Sequence, residues 1–447
     1  MAQPVPLLCV QQDGLAAANL TPAQRLWAEA NDFTGQRGRL LGLPDAQSGL
    51  SAYLFGLGKP SDRPTMVTGL AGAALPVGNY CLAGDYGDPV LAAIGFRLGA
   101  YRFDRYRAGA PAPTLSLPEG ADAAEIDRLV EAAVLARDLV NTPTNDLGPD
   151  AFEAFIRDFA ATRGMTIAVT RGDDLLAANF PLIHAVGRAA EQAPRLLDLS
   201  WGNPSHPKVT LVGKGVTFDT GGLDIKNPTG MLLMKKDMGG AANVLGLAHA
   251  IVSAGLQLRL RVLIPVVENA ISASSFRPGD ILPSRKGLTV EIGNTDAEGR
   301  LILADALTLA DEESPELLLD MATLTGAARV ALGPELPALF STDDGLARDL
   351  MRSGLQNDDP LWQMPLWSPY DAMMNSKIAD VNNAGAGGFA GSVTAALFMN
   401  RFVSKARAWV HLDIMAWAPE ARAGRPQGGT DHGIRSVYGV LKERYPA

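Results

Sequence analysis

Past residue 122 the apolar positions follow two alternating rhythms. Ile126, Leu129, Val130, Val134 and Val140 recur at helical spacing. They predict a helix that the polar, Pro- and Gly-containing run 141–150 brings to an end. Farther on, short apolar runs at 209–212, 260–267, 288–292, 317–321 and 408–412 have the length and residue types of buried strands. Between them, Val244, Leu247, Ala248 and Ile251 share one helical face, and 300–313 and 391–403 predict further helices. This alternation implies an α/β fold with a mixed, largely parallel sheet flanked by helices on both faces.

Residues 1–107 mix short apolar stretches with Gly and Pro and show no catalytic pattern. The segment 108–122, AGAPAPTLSLPEGAD, reads as a linker. The expected organisation is therefore a small α/β N-terminal domain over 1–122 and a larger catalytic domain over 123–447. In open sheets of this class ligands gather beyond the carboxyl ends of the strands, so the polar residues that follow strands carry the interest.

Composition narrows the function. With 47% hydrophobic and 19% charged residues over 447 positions, the chain can bury a large core. A net charge of -9 argues against a general affinity for nucleic acid or anionic membrane, which would need a basic face. No apolar run is long enough to span a bilayer and no secretory leader is evident, so a cytoplasmic protein is expected. Cys9 and Cys81 are too few for a disulfide framework and are expected as reduced thiols. Lysine is scarce, ten in all, yet Lys214, Lys226, Lys235 and Lys236 fall in one short segment.

That segment belongs to three clusters that follow strands or lead into helices: VGKGVTFDTGGLDIK (212–226), MKKDMGGAAN (234–243) and GNTDAEGRL (293–301). Together they offer Asp219, Asp224, Asp237, Asp296 and Glu298 beside Lys214, Lys226 and Arg300. If four of these carboxylates converge, their repulsion calls for cations, and two divalent ions supply the matching charge. Asp296 and Glu298, two apart, project to one side of an extended segment. Oxygen donors suit Mn²⁺, Mg²⁺ or Zn²⁺, and a two-metal site can clamp a bridging hydroxide for attack on a carbonyl. The five histidines lie outside these clusters, which excludes a His-based HExxH zinc site and leaves them to surface or core roles. A lone Asp-x-Glu or Lys–Asp pair would mean only a solvated turn or ion pair. Asp224 reads as a turn residue.

The three clusters, above all NTDAEGRLILADAL, closely resemble the leucyl (cytosol) aminopeptidase family, with Lys214, Asp219, Lys226, Asp237, Asp296, Glu298 and Arg300 in register. The resemblance implies an aminopeptidase that cleaves the N-terminal residue, Leu and other apolar residues favoured, from short peptides. Lys214, Asp219, Asp237 and Glu298 would bind the tighter metal, and Asp219, Asp296 and Glu298 the more exchangeable one. Lys226 and Arg300 would be the catalytic pair, with a bicarbonate at Arg300 as proton shuttle. Met234, Thr323 and Gly326 stand where the family lines its substrate pocket, although Met234 by its own pattern is core. The family also implies Mn²⁺ or Zn²⁺, with Mg²⁺ or Co²⁺ as alternatives, and a homohexamer. Lys214 could ligate only as the free amine, so nearby ions must depress its pKa. The chain departs from the family pattern at GMLLMKKDM and at 427–435. The alternative expectation is a DNA-binding regulator on an aminopeptidase body, against which the acidic composition counts.

Overall fold

In the computed structural model, all residues except 1, 2, 46 and 48 are described. The chain divides into two compact units, one formed by residues 1–134 with 418–428, the other by 135–417 with 429–447. Among the described residues no helix is long and apolar enough to cross a membrane.

The first unit is built on a five-stranded sheet in the order Leu40–Pro44, Leu50–Gly58, Val5–Gln11, Asn79–Gly84, Thr114–Ser116. Its pairings are parallel except for the Leu40–Pro44 edge. Leu7, Phe55, Leu57, Tyr80 and Phe96 form one core, while Val10, Phe33, Leu43 and Leu54 form another. Helices Pro22–Ala30, Thr68–Ala74 and Pro89–Gly99 complete the unit, which is α/β as expected. Part of the stretch expected as a linker, Thr114–Ser116, is a strand, paired with Asn79–Cys81. Its alternating Thr-Leu-Ser is too short to stand out among the prolines. Cys9 is buried and Cys81 half-buried, both as free thiols.

The second unit carries a nine-stranded mixed sheet. At its centre Trp409–Asp413, Leu317–Ala322, Lys208–Gly213 and Arg259–Asn269 run parallel in that order. Arg195–Trp201, Thr166–Arg171 and Ala338–Ser341 join antiparallel on the flanks. Every residue of Leu317–Ala322 and Trp409–Asp413 is buried, as a sheet covered on both faces requires. Helix Glu298–Glu312 packs Leu301, Ile302 and Leu303 into one cluster with Val212, Leu263, Leu318 and Trp409. Helix Gly239–Ala254 lies against Lys208–Gly213 and Leu317–Ala322 and buries all residues from Gly239 to Ile251. Each fully buried Val, Leu or Ile contributes about 1.5–3 kcal/mol, enough in aggregate to offset a cluster of confined charges at the sheet's edge.

The run 288–292 departs from the simplest expectation. Its ordered part, Thr289–Glu291, sits in a separate three-stranded sheet with Ile281–Pro283 and Val381–Asn382. Conversely Gly215–Asp219, within the first polar cluster, is itself a strand paired parallel with Val266–Asn269.

Candidate metal centre and substrate pocket

The polar clusters meet at the carboxyl ends of the central strands. Lys214 follows Lys208–Gly213, Asp219 ends Gly215–Asp219, and Thr323 follows Leu317–Ala322. Asp237 lies in the 3-10 turn Met234–Met238, which leads into helix Gly239–Ala254, and Glu298 is the first residue of helix Glu298–Glu312.

Two loops are clasped together to bring Asp296 to the same place. Thr295 donates its backbone N–H to the Asp224 carboxylate at 2.8 Å, and its hydroxyl accepts from the Asp224 N–H at 2.8 Å and donates to the Gly221 carbonyl at 2.7 Å. Asp224 is thus the fastener between the two loops rather than a member of the cluster. Asn383, fully buried, accepts from the Gly293 N–H and donates to the Asn294 carbonyl, each at 2.8 Å. Asn269 donates to Asp219 Oδ1 at 2.8 Å.

The result is one polar knot. Lys214 Nζ stands 2.7 Å from Asp237 Oδ2 and 2.8 Å from Glu298 Oε1, and donates to the Thr323 carbonyl at 2.9 Å. Lys226 Nζ lies 2.8 Å from Asp219 Oδ2 and also contacts Asp296. Oxygens of Asp219, Asp296 and Glu298 come within 4.8 Å of one another. Asp237 Oδ2, Asp296 Oδ1 and Glu298 Oε1 are buried with no hydrogen bond of good geometry, only a lysine ammonium at ion-pair distance. Carboxylate oxygens confined in this way, with an amine beside them, fit hard or borderline divalent ions.

Electrostatics agree with crowding. Burial, reinforced by Asp219, pushes Asp296 up to about 6 and raises Glu298 well above the usual carboxylate range. Asp237 is held below that range because Lys214 and Lys236 outweigh its burial. Burial works against the Lys214 and Lys226 charges, yet the surrounding carboxylates prevail and raise both. The protein's own charges therefore keep Lys214 as an ammonium. The depressed value expected of a ligating amine would have to be imposed by an ion.

Beside the knot opens a cavity of about 120 Å³, lined by Met234, Thr323 and Gly326 as well as Lys214, Asp219 and Asp237. Residues 134–438 match the cytosol aminopeptidase family catalytic domain, and residues 5–118 match the M17 aminopeptidase N-terminal domain. The chain belongs to the cytosol aminopeptidase family.

A probable cytosol aminopeptidase of Syntrophotalea carbinolica is 42% identical over 368 residues, 78% of this chain and 74% of the relative. Another, of Geotalea uraniireducens, is 38% identical over 448 residues, 93% of this chain and 90% of the relative. The crystal structure of a cytosol aminopeptidase from Coxiella burnetii superposes with a TM-score of 0.94 at 42% identity, covering 100% of this chain and 98% of that one. The bottromycin maturation enzyme BotP in complex with Mn superposes at 0.90 with 33% identity, covering 99% of this chain and 100% of that one. As a member of the cytosol aminopeptidase family the protein is an enzyme, a hydrolase of peptide bonds.

Within this family framework Arg300 takes a particular place. Its guanidinium is buried, donates from Nη1 to the Asn383 carbonyl at 2.6 Å, and leaves Nε without a hydrogen bond. Burial draws its pKa down to about 10, against the pull of Glu298. Four other residues of the site escaped the reading of the sequence. Asp413 and Asn269 each end a strand, and the rule about strand-end polar residues points to both. Asn383 follows the two-residue strand Val381–Asn382, too short to leave a pattern. Lys236 was seen only as part of a lysine cluster, yet it is buried and lines the cavity, and burial lowers its pKa to about 8.

Proposed function

We propose that this aminopeptidase removes the N-terminal residue from short peptides, with Leu and other apolar residues accepted, using two divalent ions held by the five residues at the strand ends. The carrying observation is the gathering of Asp237 and Glu298 around Lys214 and of Asp219 and the half-buried Asp296 around Lys226, with three buried carboxylate oxygens free of hydrogen bonds of good geometry. Lys214, Asp219, Asp237 and Glu298 would hold one ion, and Asp219, Asp296 and Glu298 the other, so that Asp219 and Glu298 serve both. Such ions supply Lewis acidity toward the scissile carbonyl and lower the pKa of a water that serves as nucleophile. Mn²⁺ and Zn²⁺ suit the donors best, with Mg²⁺ and Co²⁺ compatible. The Mn complex of BotP supports manganese.

The chain's own groups account for the remaining work. Lys226, partly exposed and lining the cavity, would offer an ammonium where negative charge grows on the carbonyl oxygen, an interaction stronger in the transition state than in the ground state. Arg300 would hold a bicarbonate that relays a proton, and its buried Nε supports an anion there. Met234, Thr323 and Gly326 would form the wall against which the departing residue's side chain rests. The names of the matched families and relatives support a cytoplasmic peptidase and give the DNA-binding alternative no support.

Purified protein loaded with Mn²⁺ should hydrolyse leucyl-p-nitroanilide, and a blocked N-acetyl-leucyl analogue should resist. No turnover with metal demonstrably bound would sink the reading. The resemblance further supports a homohexamer, for which light scattering should return six times the protomer mass.

A further inference from the structure

The cavity beside the metal centre holds a cation that peptide hydrolysis as described leaves unused. Lys236 is 4% exposed and lines the cavity. Among the described residues its ammonium makes no hydrogen bond and no ion pair. The nearby carboxylates are already taken. Lys214 stands 2.7 Å from Asp237 Oδ2, and the Thr323 hydroxyl donates to Oδ1 at 2.8 Å. Asp413 accepts from the Leu324 N–H at 3.1 Å, the Thr325 N–H at 3.2 Å and the Thr325 hydroxyl at 2.6 Å.

A second cation borders the same space. Arg329 is exposed, touches Met415 Sδ from Nη1 at 3.3 Å, and pairs with no carboxylate among the described residues. Lys236 and Arg329 thus border a cavity that Met234, Leu324, Ile414 and Met415 line with apolar surface, while Asp413 and the lysines and carboxylates of the knot line other parts of it. Confining an ammonium without an anion is unfavourable, so the fold leaves room for a negative group to arrive with a ligand. A volume of about 120 Å³ admits one side chain. Glutamate matches both features, its methylenes lying against Met234 and Met415 and its carboxylate reaching the cation.

We propose that this pocket accepts an acidic N-terminal residue, glutamate foremost, with Lys236 pairing its side-chain carboxylate and Arg329 adding positive charge at the edge. This rests on the aminopeptidase reading and widens its substrate class from apolar to acidic N-termini. Leucine would fill the apolar wall but leave Lys236 unpaired, and glutamine, the same shape without the charge, isolates the electrostatic contribution.

The test compares kcat/KM of the Mn²⁺-loaded enzyme on Glu-, Gln- and Leu-p-nitroanilide, for the unaltered chain, Lys236→Met and Arg329→Gln. In parallel, calorimetry measures binding of free glutamate against free glutamine. The unaltered enzyme should favour Glu over Gln by roughly tenfold or more, and Lys236→Met should collapse that ratio, as loss of one partner of a buried charge pair does. Arg329→Gln should lower it by a few-fold and steepen no other preference. A Glu-to-Gln ratio near or below one in the unaltered enzyme overturns the proposal, as does a ratio that Lys236→Met leaves intact. Should Lys236→Met fail to fold, the ratio in the unaltered chain and in Arg329→Gln decides. Absence of turnover on all three substrates would remove the peptidase reading instead, and the glutamate-against-glutamine calorimetry would still decide the pocket.

Discussion

Lys214 is held as an ammonium by the carboxylates around it, and burial beside Asp219 raises Glu298 well above the usual carboxylate range. Ligation by Lys214, as proposed, requires the free amine, so metal binding would expel its proton. Apparent Mn²⁺ affinity should therefore rise with pH between 6 and 8 by about tenfold per unit for each proton released. Calorimetric titration in buffers of different ionisation enthalpy measures the number directly, and a pH-independent affinity would contradict the assignment. Two glycines separate site from scaffold. A Cβ on Gly299 would stand 2.5 Å from Lys214 Cε and 2.7 Å from Nζ, so Gly299→Ala should displace the lysine and weaken Mn²⁺ binding about 10–100-fold. A Cβ on Gly240 would lie 2.0 Å from the Met321 carbonyl oxygen, which cannot swing aside, so Gly240→Ala should cost about 1–3 kcal/mol of stability in thermal or urea unfolding. At this scale the sequence was highly legible for the knot itself. Acidic residues just past apolar runs announce themselves, and the spacing of Lys214, Asp219, Asp237, Asp296 and Glu298 is distinctive. Lys236 was illegible because nothing in MKKDM says which lysine turns inward; only packing assigns Lys235 to the Asn141 carbonyl, 2.6 Å away.

Between residues and fold stand the two loops 220–226 and 293–297, and the Thr295–Asp224 clasp is their joint. Thr295→Val keeps the shape but removes the hydroxyl, leaving the Gly221 carbonyl and the Asp224 N–H short of a partner. The expected outcome is a loss of about 1–3 kcal/mol in stability. Metal affinity should also fall, although every ligand is intact, and equilibrium dialysis against unfolding curves distinguishes the two effects. Long buried strands were readable as elements: the runs 209–212, 260–267 and 317–321 lie within Lys208–Gly213, Arg259–Asn269 and Leu317–Ala322. Helix 300–313 begins two residues earlier, at Glu298, because Glu298 itself opens the helix. The partnership of 288–292 was not readable, since a short apolar run carries no mark of which sheet it joins. Nor was the strand Gly215–Asp219, whose Gly and Thr dilute the apolar signal while its pairing with Val266–Asn269 supplies the order.

For the molecule as a whole, concentrating four carboxylates at one sheet end is a standing electrostatic debt against the buried core, and a divalent ion removes it. Saturation with Mn²⁺ at about 100 times its Kd should add about 2.7 kcal/mol to stability. The thermal midpoint should rise by a few degrees and EDTA should reverse the rise. A midpoint indifferent to Mn²⁺ would argue that the carboxylates bind no ion in the native state. The α/β class and the mixed sheet were legible from the alternation of elements. The return of residues 418–428 to the first unit was not, because it depends on contacts between segments remote in sequence.

That return shapes how the protein can be re-engineered. Gly424, at φ +68°, lies so close to Gly69 that a methyl on Gly69 would fall 2.1 Å from the Gly424 nitrogen, and Met66 Sδ would be 3.2 Å from one on Gly424. A chimera that borrows its amino-terminal unit from a relative must therefore graft two separate stretches, 1–134 and 418–428. Transplanting the first alone would set a foreign surface against a native eleven-residue loop cut to fit another partner.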